Sequence, residues 1–260
     1  MGQAVIGMQG AMLKRLFWPC LVLLLAGALT TAVWSGRTAE PTYAEMACLF
    51  EEKPTGCVDS IADWKSGLAF YDSAVAVSRD PLKSLTALLW DYWNIEFAGA
   101  GEAAVSKDAV LPLQVLKNRK SGCMGLAWLA MMVAEARNLP LNVILLPGHV
   151  FLRYGKLNGL EEFGFARKTV NLEPNRRGYS YTDEEYREKY KNGHWTGLEF
   201  KPLKPREFVG LAAFDLGNLY MDSDPRRALA WYRMAEEFFP AYPGISVNQE
   251  IVKKRLPDPL

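Results

Sequence analysis

The sequence predicts an α+β fold: a central helix against a small antiparallel sheet, with a helical hairpin behind it and a membrane helix in front. Three observations predict it. "CMGLAWLAMMVAEAR", from Cys123 to Arg137, is apolar on nearly every side, with charge only at Glu135 and Arg137, so it must sit in the middle of a core. "LNVILLPGHVFLRY" and "KTVNLEP" then turn to β-branched and aromatic residues. Apolar residues elsewhere recur at spacings of three and four.

Lys14 and Arg15 precede Leu16 to Trp34, a run without a charge. As a helix its 19 residues span roughly 28 Å, enough for the hydrocarbon layer of a bilayer. Trp18 and Trp34 near its ends suit the two interfaces, and the basic pair predicts that residues 1–15 stay cytoplasmic and the globular part faces outward. This reads as a single-pass signal anchor, with the globular domain outside the cytoplasm. The rival is a cleaved signal peptide, with small residues at Ala26 to Ala28. Cys20 reads as packing within the membrane helix.

Residues 35–42 are a polar linker, and helical patterns follow at Tyr43 to Glu51 and Ile61 to Ala76, the linker and these helices filling residues 35–80. In "DPLKSLTALLWDYWNIEF", Asp80 is a cap, Pro81 suits the first turn, and Leu82, Leu85, Leu88, Leu89 and Tyr92 mark one face. "AGAGEAAVSKDA" reads as a loop, and "LPLQVLKNRKSG" leads into the central helix. The strand pattern after that helix is interrupted by Pro147-Gly148, a bend or tight connection. "TDEEYREKY" opens with a capping box, Thr182 and Glu185. Phe208 to Pro240 reads as two helices, the second capped by Asp224 with Pro225 in its first turn. The expected domain proper is residues 81–205, with the hairpin and a tail in 206–260.

The composition, 50% hydrophobic and 23% charged with a net charge of +1, is that of a globular protein. No Lys/Arg face of the kind that binds phosphate backbones is present, so nucleic acid is not an implied partner. Two histidines and scattered cysteines supply no metal-ligand cluster, and no cofactor is implied. In an exported chain thiols tend to pair. Cys48 and Cys57, nine residues apart across the turn-forming "KPTG", are predicted to form a disulfide. Cys123 is left over.

Cys123 stands in a first helical turn, where unsatisfied N–H groups and the dipole favour a thiolate, and Ser121-Gly122 before it lets a substrate approach closely. Thiolate acyl chemistry needs an imidazole, and an imidazole needs a partner to hold its tautomer. His149, in the strand pattern 26 residues on, is the candidate base; His194, in "KNGHWTG", reads as surface. Glu173, in "VNLEPN", is the candidate third group and Asn171 the runner-up. Each has an ordinary alternative: a core cysteine, a structural histidine, a loop charge.

"PLQVLKNRKSGCMGL", "LPGHVFLR" and "NLEP" together resemble the transglutaminase-like superfamily, in the bacterial branch that joins such a domain to a tetratricopeptide repeat. That resemblance implies a core with Cys at a helix start and His and an acid on adjacent antiparallel strands. It implies Cys123 as nucleophile, His149 as general base and Glu173 where the superfamily usually has Asp. It also implies attack on a peptide carboxamide and a thioester resolved by water or an amine, with the Cys123 N–H stabilising the oxyanion. "AAFDLGNLYMDSDPRRALAWYRMAEEFFP" resembles one tetratricopeptide repeat through Leu216-Gly217, Tyr220, Ala228, Tyr232, Ala235 and Pro240. One repeat cannot bury its own face, so it is expected to pack on the catalytic domain; it is also a candidate surface for a protein partner. The reading from another class is a non-catalytic scaffold that keeps this fold and binds peptides.

Overall fold

The computed structural model describes residues 40–155 and 169–256. The anchor at Leu16 to Trp34 and Cys20 lie outside the described residues. Among the described residues no helix is long and apolar enough to cross a membrane. Residues from Pro41 onward form one compact unit.

Helix α1, Tyr43–Phe50, begins at a capping box of Thr42 and Glu45. The predicted disulfide between Cys48 and Cys57 is formed, tying α1 to a short 3₁₀ turn at Cys57–Ser60. Helix α2, Ala62–Ser78, follows, stopped by Arg79 in the left-handed region. Helix α3, Pro81–Ala87, has the expected Asp80 cap, whose Oδ1 accepts from Lys83 N–H at 3.0 Å. It continues as a π turn, Leu88–Tyr92, which buries Leu88, Leu89 and Trp90 together. Two-residue strand β1, Glu96–Phe97, comes next.

The segment expected to be a loop is largely helical. Gly99, at φ 89°, turns the chain into helix α4, Ala100–Val105, and Lys107–Ala109 make a 3₁₀ turn. Three alanines in six positions give α4 its propensity. The approach to Cys123 is also ordered: helix α5, Pro112–Asn118, ends at Arg119, φ 61°, and strand β2, Lys120–Ser121, runs parallel to β1. Strands of two residues carry no readable period, so β1 and β2 were not visible in the pattern.

Helix α6, Cys123–Arg137, is the central helix, and eleven of its residues are buried. Strands β3, Leu141–Leu146, and β4, His149–Tyr154, form an antiparallel hairpin closed by Pro147-Gly148, with Gly148 at φ 65°. Only a glycine takes that conformation freely. Strand β5, Val170–Leu172, joins the outer edge of β4. Helix α7, Asp183–Lys189, has the expected capping box. Strand β6, Pro202–Leu203, not expected, pairs with β3, giving the sheet order β5-β4-β3-β6.

The C-terminal region holds three helices where two were expected: α8, Pro205–Tyr220, α9, Pro225–Phe238, and α10, Pro243–Lys253. Tyr232 packs against Gly217, where a Cβ would collide with its ring. The helices pack on the α/β core as expected: the Phe208 ring lies 5.7 Å from both Tyr43 and Trp128, and Trp231 lies 5.3 Å from Phe50.

Candidate active site

The site is built where α6 begins. Gly122 is the N-cap and carries no side chain to accept from the first turn, so the early N–H groups of α6 lack a side-chain cap. Gly125, one turn in, lets the helix press against the Ala109 carbonyl, where a Cβ would collide. That contact and the hydrogen bond from Gly122 N–H to the Ala109 carbonyl, 3.0 Å, fix the start of the helix. Cys123 is unpaired and half-buried there.

His149 is the first residue of β4, paired with Leu146 across the hairpin, and is 7% exposed. Its Nε2 lies 2.9 Å from Glu173 Oε2. Cys123 acts on the same ring, its charge and hydrogen-bonding capacity both favouring a protonated His149. Glu173 is 1% exposed, just past β5, and caps the 3₁₀ turn Pro174–Arg176 through Asn175 N–H to Oε1, 3.1 Å. All three predicted residues therefore meet.

The runner-up, Asn171, does not reach His149. By register it lies opposite Arg153, four residues along β4 from His149, or roughly 13 Å of strand. It accepts from Arg153 Nε at 2.8 Å and donates to the Tyr181 carbonyl at 2.8 Å and to Asp183 Oδ1 at 3.0 Å. Its work is to tie β4 and β5 to α7. His194 is exposed, as expected.

Burial opposes charge on the His149 ring, but the Cys123 sulfur, as thiolate charge and hydrogen-bond partner, and then Glu173 outweigh it and push His149 up to about 9. Burial likewise opposes charge on Glu173, and the His149 hydrogen bond and charge, with Asn175 N–H and Lys189, hold its carboxyl below the usual range. Each partner stabilises the other's ionised form.

Two tyrosines of the α7 segment, not foreseen in the sequence, complete the surroundings. Tyr186, 0% exposed, donates to Glu173 Oε2 at 3.1 Å. The Tyr190 ring stacks on the His149 ring, 5.5 Å between centroids and 10° between planes. Their four-residue spacing, which puts both on one helix face, was the available signal. Trp90, Ile95, Leu126 and Pro174 line a small hollow that also borders Ser121, Gly122 and Asn175. Among the described residues no cluster of three or more His, Cys, Asp or Glu is arranged to hold a metal ion.

The model of the transglutaminase-like superfamily matches residues 62–210, which hold Cys123, His149 and Glu173. No curated protein and no solved structure matches the chain.

Proposed function

The chain belongs to the transglutaminase-like superfamily, and from that premise and the site geometry we propose that it is a thiol enzyme acting on peptide amides through a thioester at Cys123. The observation that carries the reading is the His149–Glu173 hydrogen bond with Cys123 acting on the same ring, which together push His149 up to about 9.

In the proposed cycle His149 holds the thiol proton, so sulfur is a thiolate. The sulfur attacks the carboxamide carbon, and the first-turn N–H groups of α6, chiefly that of Cys123, face the developing oxyanion. The C–N bond breaks as the His149 imidazolium gives its proton to the departing amine, leaving a thioester. His149, now neutral, takes a proton from water or an incoming amine; that nucleophile attacks the thioester carbon, the C–S bond breaks, and the thiolate returns. Glu173 keeps the ring in one tautomer and stabilises its charged form. Water makes the protein a peptidase or amidase, an amine makes it an acyltransferase.

We further propose that Leu16 to Trp34 anchors the enzyme in a bacterial inner membrane with the site outside the cytoplasm, and that α8 and α9 are a fused tetratricopeptide repeat. The native Cys48–Cys57 disulfide supports an oxidising compartment. The small-against-aromatic contact of Gly217 and Tyr232 supports the repeat.

Incubating the 260-residue chain with casein and a biotinylated alkylamine tests the chemistry. New N-termini, ammonia release or biotin incorporation, each lost in Cys123→Ala, is the expected result. Turnover equal in wild type and Cys123→Ala would leave a peptide-binding scaffold as the better reading.

A further inference from the structure

A glutamate is a loose holder for an imidazole, because it has one more rotatable bond than the aspartate that the resemblance puts there in most relatives. Here both carboxylate oxygens are engaged. Oε1 accepts from Asn175 N–H at 3.1 Å, and Oε2 is shared by His149 Nε2 at 2.9 Å and the Tyr186 hydroxyl at 3.1 Å.

Tyr186 is itself closely packed. Its ring stacks on Phe151, 4.2 Å between centroids, and leans on Tyr181 at 5.2 Å. Helix α7 is tied to β4 and β5 through Asp183, which accepts from Arg153 and from Asn171. Packing alone asks only for the ring, since phenylalanine would fill the same space. A buried hydroxyl is costly unless bonded, and this one is bonded to the oxygen that orients the histidine.

We infer that Tyr186 is a positioning residue of the thiol site: its hydroxyl fixes the Glu173 carboxylate so that Oε2 meets His149 Nε2. The inference rests on the thiol-enzyme reading and explains how a glutamate serves in that place. The groups facing His149 are Cys123 from α6, Glu173 after β5 and the stacked ring of Tyr190. Lys189, whose ammonium lies 5.0 Å and 5.4 Å from the Tyr181 and Tyr190 ring centroids, is the nearby cation that also acts on Glu173.

The test is a His149 titration by NMR with iodoacetamide alkylation of Cys123 across the same pH range, on the 260-residue chain. A His194→Asn background leaves a single imidazole signal. In Tyr186→Phe the His149 midpoint should fall by about one unit, and alkylation at pH 6 should slow about tenfold. A purely structural tyrosine would lower the melting temperature and leave both readouts in place, which would overturn the inference. Should Tyr186→Phe not fold, ¹³C-tyrosine in the otherwise native chain decides the matter. The Tyr186 Cζ shift should follow the His149 midpoint, and a flat Cζ shift overturns the inference. The thiol-enzyme reading fails separately: it falls, and takes the inference with it, if native Cys123 reacts no faster than free cysteine and His149 titrates at its ordinary value.

Discussion

His149 Nε2 faces a carboxylate at 2.9 Å and Cys123 acts on the same ring, so both neighbours favour its protonated form. Its folded pKa of about 9 lies above the roughly 6.5 of an unfolded imidazole. The stability this adds is therefore complete below about pH 6.5 and is lost as pH rises through 9. Glu173 is shifted down, so its contribution is present above the ordinary carboxylate value and lost as pH falls through the lower folded one. Urea unfolding of the native chain should weaken between pH 7 and 10, and His149→Gln should remove that alkaline decline. In turnover, Cys123→Ala should abolish activity, His149→Ala should cost roughly 10²–10⁴-fold, and Glu173→Gln should lower kcat with little change in KM. A Glu173→Gln variant with native kcat would remove the carboxylate from the account. Cys123, His149 and Glu173 were legible in the sequence because thiol, imidazole and acid are scarce: two histidines leave little choice of base. Tyr186 and Tyr190 were not, because aromatic residues at helical spacing are common, and only the register of β4, β5 and α7 turns them toward the site.

At the scale of elements, the start of α6 depends on contacts that no local signal marks. Gly125→Ala puts a Cβ against the Ala109 carbonyl and Val115. It should destabilise by about 1–3 kcal/mol and slow Cys123 alkylation as the helix start shifts, both read on one purified variant. An alanine there with native stability and reactivity would mean the helix start is not set by that contact. The Cys48–Cys57 bridge closes a short loop beside α1, whose Tyr43 carbonyl accepts from Trp128 Nε1 at 3.0 Å. Replacing both cysteines by serine should cost about 2–4 kcal/mol, measured by denaturant unfolding. The pairing was legible from spacing and turn residues, as was the hairpin around Pro147-Gly148. Helix α4 has a loop-like sequence because glycine and alanine alternate at its start, and the paired two-residue strands β1, β2 and β6 are too short for any periodicity.

Across the whole compact unit, the C-terminal helices cover core aromatics rather than standing apart. Phe208 fills against Tyr43 and Trp128, both nearly inaccessible to solvent. Ending the chain before Phe208 should therefore expose Trp128 and lower the melting temperature by more than 10 °C or cost solubility; a truncated chain that melts unchanged would contradict this packing. The repeat-like spacing made the hairpin legible, whereas α10 was missed because Pro243-Gly244 at its head reads as a break. The proposed chemistry requires His149 to take the Cys123 proton at the mouth of α6. Its most direct test is the rate of iodoacetamide alkylation of Cys123 against pH, in native chain and in His149→Asn. The account predicts a reactive plateau beginning in mild acid that disappears in the variant. A rate that rises only above pH 8, alike in both proteins, would contradict it.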